Sequence, residues 1–297
     1  MKILFTADLH LLGATQAHTL SKVKHWITAH QPDAFVVAGD LSSAHQAEET
    51  LRSLRDCFPG GPIAVCLGNH DFWLRDPVRQ ECGSLLEVID RFWVPAAKAS
   101  DVTLLDNENL SLSDIAIVGA YGHYDFGFAI PGLAYDGIPV TEEDYLRGGL
   151  DSVSAMRWSD FQFMPNGRHP REIAADQVAG VRQRLAEVSH NQTIVVLHTP
   201  PLEALLGVAP RTRELLDRSP SIYAFFRAYL GNRAMGDLLQ EVRSTLAAVV
   251  CGHTHRPAGP LCLNGSDTIG INVGSDYGAP KAALYRCDAR EFKRLAD

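Results

Sequence analysis

The 297-residue sequence contains no long apolar run and no closely spaced pair of cysteines. A helix that crosses a bilayer needs about 18 or more consecutive apolar residues, and no segment approaches that length. The six cysteines are scattered, so neither a zinc ribbon nor a disulfide framework is predicted. The apolar stretch of "MKILFTADLH" is short and interrupted by Asp8, so no signal peptide is expected. We therefore expect a soluble, cytoplasmic protein whose thiols are buried and reduced.

The sequence also lacks an excess of positive charge. Lys and Arg number 27 against 35 Asp and Glu, which gives a formal net charge of −8. Proteins that bind nucleic acid usually carry clustered positive charge, so neither a nucleic acid nor a membrane is expected as a partner. Hydrophobic residues make up 46% and charged residues 21%, which is typical of a globular protein. The sequence leads to no prediction of the oligomeric state.

Short apolar runs alternate with helical patterns along the chain. Strands are predicted at residues 2–7, 33–38, 62–67, 114–120 and 193–198. Helices are predicted at residues 19–30, 44–58, 76–91 and 170–189. This alternation predicts an α/β fold with parallel strands, and the near-continuous apolar strands indicate a sheet buried on both faces. We expect one domain that spans residues 1–297.

Two regions, 121–170 and 200–235, lack this periodicity and are predicted to be inserts that determine substrate specificity. The first contains "AYGHYDFGF" (120–128), in which Tyr121 and His123 are candidate substrate contacts. A small hydrophobic cluster beneath a long loop is the favoured alternative for these aromatic residues. The second contains arginines that could bind phosphate, although interleaved acidic residues favour a solvated surface of mixed charge. These arginines are Arg211, Arg213, Arg218, Arg227 and Arg233.

Polar side chains follow the predicted strands at the points where they end. The candidate metal ligands among them are Asp8, His10, Asp40, Asn69, His198, His253 and His255. Strand ends converge at one edge of an open α/β sheet, so these side chains are expected to meet. Imidazole and carboxylate ligands suit Mn, Fe or Zn. A shared carboxylate such as Asp40 can bridge two cations, and the glycines before Asp40, Asn69 and His253 allow tight turns or close backbone approach.

The ordered set "DLH" (8–10), "GD" (39–40), "GNHD" (68–71), His198 and "GHTH" (252–255) resembles the calcineurin-like metallophosphoesterases. The resemblance extends over residues 8–255 and implies a four-layer α/β/β/α sandwich with its active site at the carboxyl ends of the strands. It also implies a site for two divalent or trivalent metal ions. One ion would be held by Asp8, His10, Asp40 and His255. The other would be held by Asp40 as the bridging ligand, Asn69, His198 and His253.

On the same resemblance, His70 is the active-site histidine that does not bind metal. It is the candidate for protonating the leaving oxygen, and Asp71 is expected to orient either the loop or an imidazole. Two metal ions that share a water molecule generate hydroxide near neutral pH for in-line attack on phosphorus. The sequence therefore predicts a metal-dependent phosphohydrolase that acts on a small phosphoester.

Departures from neighbouring families narrow the substrate class. Serine/threonine phosphatases carry "GDxxDRG" and "GNHE", whereas this sequence has "GDLSSAH" with Ser43 in place of the second Asp, and "GNHD". DNA-repair nucleases share a start like "ADLHLLG" (7–13) but need a basic track, which the net charge of −8 does not favour. A phosphodiesterase acting on small or nucleotide-like substrates is the leading prediction. A broad phosphomonoesterase, a DNA nuclease and a non-catalytic scaffold remain as alternatives.

Overall fold

The structure is a computed structural model that describes most of the chain. The described residues are 1–150, 153–165, 167–190, 192–207, 220–263 and 265–296, and for 153–156 only the backbone is described. Three of the arginines predicted as phosphate-binding candidates, Arg211, Arg213 and Arg218, lie outside the described residues. The second predicted insert, 200–235, is therefore described only in part.

The described part of the chain forms two six-stranded mixed sheets. The strands of the first sheet are β1 (Lys2–Thr6), β2 (Ala34–Ala38), β3 (Ile63–Cys66), β4 (Val102–Leu104), β15 (Ala282–Arg286) and β16 (Glu291–Arg294). Their order is β16-β15-β1-β2-β3-β4, in which β1 to β4 are parallel and β15 pairs antiparallel with β1. The carboxyl ends of β1, β2 and β3 therefore lie side by side.

The second sheet has four parallel strands with an antiparallel strand at each edge. Its strands are β5 (Leu110–Leu112), β6 (Ile115–Ala120), β11 (Gln192–Leu197), β12 (Leu246–Cys251), β13 (Ala258–Cys262) and β14 (Ile269–Asn272). Their order is β13-β14-β12-β11-β6-β5, so β11 and β12 end next to each other. Two short hairpins pair β7 (Ala134–Tyr135) with β8 (Ile138–Pro139) and β9 (Gly149–Leu150) with β10 (Val153–Arg157).

The longer α-helices cover the outer faces of the two sheets, and the described part of the chain contains ten α-helices in all. They are α1 (Gln16–His30), α2 (Ala47–Cys57), α3 (Val78–Glu81), α4 (Leu85–Val88), α5 (Val94–Ser100), α6 (Glu142–Leu146), α7 (Asp160–Phe163), α8 (Pro170–Ala186), α9 (Ile222–Phe226) and α10 (Arg233–Glu241). Alternate residues of a strand face opposite sides of its sheet. On β1, Leu4 packs against α1 and α2, whereas Ile3 and Phe5 face the second sheet. On β11, Val195 packs with the outer helices α8 and α10. The order of layers is therefore α/β/β/α, as the family resemblance implies.

The predicted helix at 76–91 is wrong in its extent. The structure has two separate short helices there, Val78–Glu81 and Leu85–Val88, followed by a π-helical segment at Ile89–Trp93 that continues into α5. Cys82 has extended backbone angles, and Ser84 begins the next helix because its side-chain oxygen accepts a hydrogen bond from the Glu87 N–H at 3.2 Å. The break therefore comes from local capping, which the apolar spacing does not reveal.

The first predicted insert folds against part of the second. Tyr124, Phe126 and Tyr145 pack with Phe225 and Tyr229 in a separate hydrophobic cluster. Aromatic rings dominate this cluster, and their centroids lie 5.0–6.2 Å apart in several pairs, including Tyr145–Phe225 and Tyr145–Tyr229. This arrangement agrees with the favoured alternative for the aromatic residues of segment 120–128, a small hydrophobic cluster beneath a long loop.

All six cysteines are free, as expected. Four of them are buried and Cys57 is partly buried, but Cys262 is exposed, because it ends the edge strand β13. The expectation that every thiol is buried is therefore wrong at Cys262. No helix among the described residues is both long and apolar enough to span a bilayer.

Candidate metal centre and active site

The ends of five parallel strands bring the predicted ligands together. Asp8 and His10 follow β1, Asp40 follows β2 and Asn69 follows β3 in the first sheet. His198 follows β11, and His253 and His255 follow β12 in the second sheet. Backbone hydrogen bonds connect these loops: the Asp8 N–H donates to the Gly39 carbonyl and the Gly252 N–H donates to the His198 carbonyl, both at 2.9 Å. Between the sheets, the His253 N–H donates to Asp8 Oδ1 at 2.8 Å, so the site lies where the two sheets meet.

Several of these residues have unusual backbone conformations. Among the described residues, eleven non-glycine residues have a positive φ, and five of them are predicted ligands. The five are Asp8, His10, Asp40, His253 and His255, with φ between 41° and 71°. This left-handed conformation is disfavoured for residues with a Cβ, and it concentrates at functional sites where the surroundings hold it in place. The surrounding structure therefore holds these five residues in a disfavoured backbone conformation, and that conformation determines where their side chains lie.

Two glycines permit the close packing of the ligands. A Cβ at Gly68 would lie 2.3 Å from Asp40 Oδ1 and 2.5 Å from the Asp40 backbone nitrogen. A Cβ at Gly252 would lie 2.4 Å from Asp8 Oδ2. Neither distance is possible for real atoms, so a side chain at either position would push a ligand out of place. The expectation of close backbone approach at these glycines agrees with the geometry.

The first predicted ligand set is compact. One ligand atom from each of Asp8, His10, Asp40 and His255 lies within 4.8 Å of the others. His10 Nε2 and His255 Nε2 are 3.1 Å apart, and Asp40 Oδ2 is 3.7 Å from His10 Nε2. Asp8 Oδ1 is also 3.7 Å from His255 Nε2. These four side chains therefore surround one small volume, as a metal ion requires.

The second predicted ligand set is equally close. Asn69 Oδ1 lies 3.1 Å from His198 Nε2 and 3.1 Å from His253 Nδ1. The two ring nitrogens are 3.2 Å apart, and Asp40 Oδ1 is 3.4 Å from His198 Nε2. Asp40 thus directs Oδ2 to the first set and Oδ1 to the second. A carboxylate with one oxygen on each side is the arrangement that a bridging ligand needs.

The hydrogen bonds of the histidines leave lone pairs facing the centre. The neutral His198 ring that donates from Nδ1 to the Ala38 carbonyl, at 3.0 Å, has an unprotonated Nε2. His253 can likewise donate from Nε2 to the Tyr229 carbonyl at 3.0 Å, which leaves Nδ1 unprotonated. Lone pairs that converge at about 3 Å repel one another unless a cation or a proton lies between them. Asp8 Oδ2 is moreover buried without a hydrogen-bond partner among the described residues. The donor set therefore fits two metal ions.

The electrostatics of the buried cluster agree with this fit. Burial raises the pKa of the Asp8 carboxyl to about 8 and lowers the pKa of His10 and of His253 to about 3. Burial is the largest single influence and would raise the pKa of Asp40, but the surrounding histidines, His198 foremost, together outweigh it and hold that pKa well below its usual value. Burial likewise opposes protonation of His198, but Asp40 and Asp8 raise its pKa to about 9, so the Nε2 that would bind a metal ion carries a proton when no cation is bound, and metal binding would displace that proton. The carboxylates thus favour positive charge between them, and the neutral imidazoles His10 and His253 are suitable ligands.

His70 lies at the open side of the cluster. Its backbone N–H donates to Asp40 Oδ1 at 2.9 Å, and its ring nitrogen Nε2 is 4.0 Å from Asp40 Oδ2. The ring stacks on Trp73 with centroids 3.7 Å apart, and Tyr277 Oη is 3.4 Å from Nε2. His70 lines a cavity of about 320 Å³ together with Asp40, Asn69 and His253. A group in that cavity would lie within reach of both His70 and the ligand sets.

Asp71 lies beneath the site rather than in it. Its Oδ1 accepts hydrogen bonds from the backbone N–H groups of Leu41 and Ser42, both at 2.9 Å, and its Oδ2 accepts from the Gly68 N–H at 2.8 Å. Asp71 therefore ties the loop after β2 to the loop after β3. Of the two roles expected for it, this contact pattern supports orientation of the loop.

Tyr121 and His123 pack in the interior. Tyr121 is fully buried, with its ring centroid 6.0 Å from that of His198, and His123 is only 3% exposed. His123 Nδ1 lies 3.1 Å from the Tyr124 carbonyl oxygen and can donate a hydrogen bond to it. Neither residue lines the cavity that contains His70. The prediction that they contact the substrate stays a prediction, and this geometry does not support it.

Three residues at the site carry no motif that would identify them from the sequence. The Asp160 carboxylate accepts hydrogen bonds from Asn69 Nδ2 at 2.9 Å and Trp73 Nε1 at 2.7 Å. Asp276 Oδ1 lies 3.1 Å from His255 Nδ1, and the ring of Tyr277 stacks on His10 with centroids 4.1 Å apart. Asp160 lies in the weakly periodic first insert, and the other two follow the last motif by more than 20 residues.

Comparison with known proteins agrees with the site. A sequence model of the family described as calcineurin-like phosphoesterase matches residues 1–257. The fold resembles that of phosphopantetheinyl hydrolase from Mycobacterium tuberculosis, with a TM-score of 0.66, 18% identity, and coverage of 93% of this chain and 90% of the other. It also resembles a dimetal phosphatase from Danio rerio, with a TM-score of 0.53, 14% identity, and coverage of 95% and 92%. No curated protein sequence matches this chain.

Proposed function

The chain belongs to the calcineurin-like phosphoesterase family, and from that premise we propose that it is a phosphodiesterase acting on small or nucleotide-like phosphoesters. Family membership makes it a metal-dependent phosphoester hydrolase. One observation carries the proposal: two compact ligand sets share Asp40 at the ends of five strands, beside a cavity that also contains His70.

The residues present define separate roles. Asp8, His10, Asp40 and His255 would hold one metal ion, and Asp40, Asn69, His198 and His253 would hold the other. When bound, two such ions would polarise the phosphoryl group and lower the pKa of a bound water molecule to about 7. His70 faces the same cavity with an imidazole that can donate a proton or a hydrogen bond to the leaving oxygen. Asp71 keeps the loops that carry Asp40 and Asn69 in register.

The space around the site favours a diester over a monoester. A second cavity of about 690 Å³ shares four wall residues, Trp158, Phe226, His253 and His255, with the cavity that contains His70. A phosphodiester has two organic substituents, and the two adjoining cavities offer each of them a place. The alternative, a broad phosphomonoesterase, would need only one of these spaces.

We further propose Mn, Fe or Zn as the native metals, because the ligands are imidazoles, carboxylates and one amide without a thiolate. A cytoplasmic location is proposed because six free thiols suit a reducing compartment. The net charge of −8 supports a small substrate over a nucleic acid.

The first test compares hydrolysis of bis-p-nitrophenyl phosphate and p-nitrophenyl phosphate by purified protein loaded with Mn²⁺, Zn²⁺ or Fe²⁺. We expect higher kcat/KM on the diester and loss of activity with a chelator. Faster hydrolysis of the monoester would favour the phosphomonoesterase, and bound metal without either activity would favour the scaffold. The name of the Mycobacterium tuberculosis structure makes phosphopantetheinyl esters a further substrate class to include.

Two variants separate the role of His70 from that of the ligands. We expect His70→Ala to retain its metal and lose about 10²- to 10⁴-fold in kcat, the usual contribution of general acid–base catalysis. Asp40→Asn is expected to lose metal instead, because it removes a charge shared by both ligand sets. Elemental analysis and steady-state kinetics on the same preparations distinguish the two. A His70→Ala enzyme with wild-type kcat would show that His70 is not the proton donor.

A further inference from the structure

A groove beside the ligand sets is lined by residues of both inserts. This cavity of about 690 Å³ has His253 and His255 in its wall together with Trp158 and Phe226. Its other walls include the apolar side chains Ile130, Tyr223 and Leu230. Phosphoesterase substrates react at phosphorus, so a groove that starts at the metal ligands is positioned to hold an organic substituent.

The indole of Trp158 is held rigidly at the mouth of this groove. Its Nε1–H donates to Asp160 Oδ2 at 2.8 Å. Its ring stacks on Tyr229 with centroids 4.8 Å apart and an interplanar angle of 8°. Tyr229 is itself fully buried, and its hydroxyl donates to the Tyr145 carbonyl at 2.8 Å. One face of the indole is therefore supported by a fixed ring, and binding a ligand on the groove side would cost little reorganisation.

The position of Trp158 in the aromatic cluster is unusual. Tyr124 and Tyr229, its neighbours, are fully buried, whereas Trp158 is partly exposed and lines both cavities. Phe226 lies beside it with ring centroids 5.5 Å apart and an angle of 54°. His253 approaches it at 6.0 Å and 70°. Trp158 and Phe226 thus form an aromatic corner directly next to a predicted metal ligand.

From this arrangement we propose that the aromatic corner of Trp158 and Phe226 binds a planar aromatic substituent of the substrate, such as a nucleobase, by stacking on Trp158. The inference rests on the proposed function, because it assigns the substrate class of the same site. Stacking uses the face of a ring, which every nucleobase offers, and requires no base-specific hydrogen bond. A purely aliphatic substituent would bury apolar surface in the groove but would not gain the stacking interaction with the indole ring.

The groove carries charges of both signs, because Asp276 lines it together with two arginines. Arg256 lines the larger cavity next to His255, is exposed, and its guanidinium makes no ion pair among the described residues. Arg227 lines the same cavity but is paired with Glu203 at 2.6 Å. Arg256 is therefore a cation with which a phosphate or other anionic group of the ligand could pair.

The test measures equilibrium binding of AMP and of ribose 5-phosphate to the Mn²⁺-loaded protein by calorimetry, with phosphate release monitored. These ligands share the phosphate and the sugar and differ by the base. We expect AMP to bind at least about 5-fold more tightly than ribose 5-phosphate, because stacking of one base on an aromatic side chain contributes that much affinity. Trp158→Phe should retain most of this preference, and Trp158→Leu should lose it.

The two variants form a matched pair. Both lack the indole N–H that binds Asp160, so any difference between them reports the aromatic face and not the support of Asn69. Equal affinity for AMP and ribose 5-phosphate in the wild-type protein would overturn the inference, whether or not the variants fold. Binding does not depend on turnover, so a protein that prefers AMP through Trp158 but hydrolyses no phosphoester would uphold the inference and refute the proposed function.

Discussion

At the scale of single residues, Asp160 determines which atom of Asn69 faces the ligand sets. An amide can present either its oxygen or its nitrogen, and only the oxygen can bind metal. Asp160 Oδ1 accepts the hydrogen bond from Asn69 Nδ2 at 2.9 Å, which directs Oδ1 of Asn69 toward His198 and His253. Asp160 is buried, and it also receives the indole N–H groups of Trp73 and Trp158. It is thus a positioning residue that acts through Asn69.

Asp160→Asn is therefore expected to weaken metal binding about 10- to 100-fold, the usual effect of losing a group that orients a ligand. The new amide has only one acceptor oxygen for three N–H donors, so Asn69 loses its fixed orientation. Metal titration monitored by calorimetry measures the change, and excess metal should restore much of kcat.

Asp125→Asn is the matched control. The Asp125 carboxylate also accepts three N–H groups, those of Gly127, Arg233 and Ala234, but it contacts none of the predicted ligands. If the two variants bound metal equally well, Asp160 would have only a structural role.

The sequence singles out the candidate ligands more readily than the residues around them. Asp8, Asp40 and His253 stand in short motifs at strand ends, and strand ends meet at one edge of a sheet. Asp160 and Tyr277 belong to no such motif and do not directly follow a predicted strand. Their positions depend on how the first insert and the last loop fold back over the site, and those paths follow from packing between segments far apart in the chain. Periodicity within a segment contains no information about such contacts.

At the scale of secondary-structure elements, the loop after β3 is tightly constrained by the loop after β2. Gly68 approaches the loop after β2 so closely that an added Cβ would meet the Asp40 backbone nitrogen as well as its side chain. A flexible side chain could move away, but a backbone atom that lies between two strand ends cannot do so easily. Asp71 holds the same two loops together through three backbone N–H groups.

Gly68→Ala is therefore expected to lower the free energy of unfolding by about 1–3 kcal/mol, as overpacking of a filled interior does. It should also reduce metal binding, because Asp40 serves both ligand sets. Urea unfolding of the chelator-treated protein measures the first effect, and metal titration measures the second.

Gly60→Ala provides the comparison, since a Cβ at Gly60 would have no atom within 4 Å. Its stability and metal affinity should match those of the wild-type protein. A Gly68→Ala protein that behaved like Gly60→Ala would mean that the loops adjust without cost.

Element boundaries show where sequence patterns are reliable. The strands of both sheet centres are close to their predicted positions, because four to six apolar residues in a row have few alternatives to a buried strand. The helix predicted at 76–91 is wrong because Ser84 caps a new helix within it. A cap depends on one hydrogen bond, and a hydrophobic pattern averaged over several turns does not detect it.

At the scale of the whole molecule, strands that are apolar on both faces and helices that are apolar on one predict a parallel sheet that is covered on both sides, whereas the packing of two such sheets as α/β/β/α layers is implied only by the family resemblance. The attachment of the inserts does not follow from those patterns. His123 is a buried link between them: its carbonyl accepts from Asn232 Nδ2 at 2.7 Å, and its backbone N–H donates to Gln177 at 2.6 Å. Its imidazole is thus enclosed where the first insert meets α8 and the start of α10.

This enclosure makes the stability of the molecule depend on pH. Burial lowers the pKa of His123 to about 4, whereas an unfolded histidine titrates near 6.5. Between these values the unfolded state binds more protons, so the contribution of His123 to stability is complete above about pH 6.5 and is lost as the pH falls toward 4. At pH 5 the loss relative to pH 7 amounts to about 2 kcal/mol.

The measurement is urea unfolding of the wild-type protein and of His123→Gln at pH 7 and at pH 5. Glutamine does not titrate, so the variant should lose about 2 kcal/mol less than the wild type over this interval, although it is less stable at pH 7. Other titrating groups, including those of the ligand sets, are present in both proteins and cancel in the comparison. If the stability of the two proteins depended equally on pH, the charged His123 ring would have to reach water in the folded state. The two inserts would then separate at His123 more easily than their packing indicates.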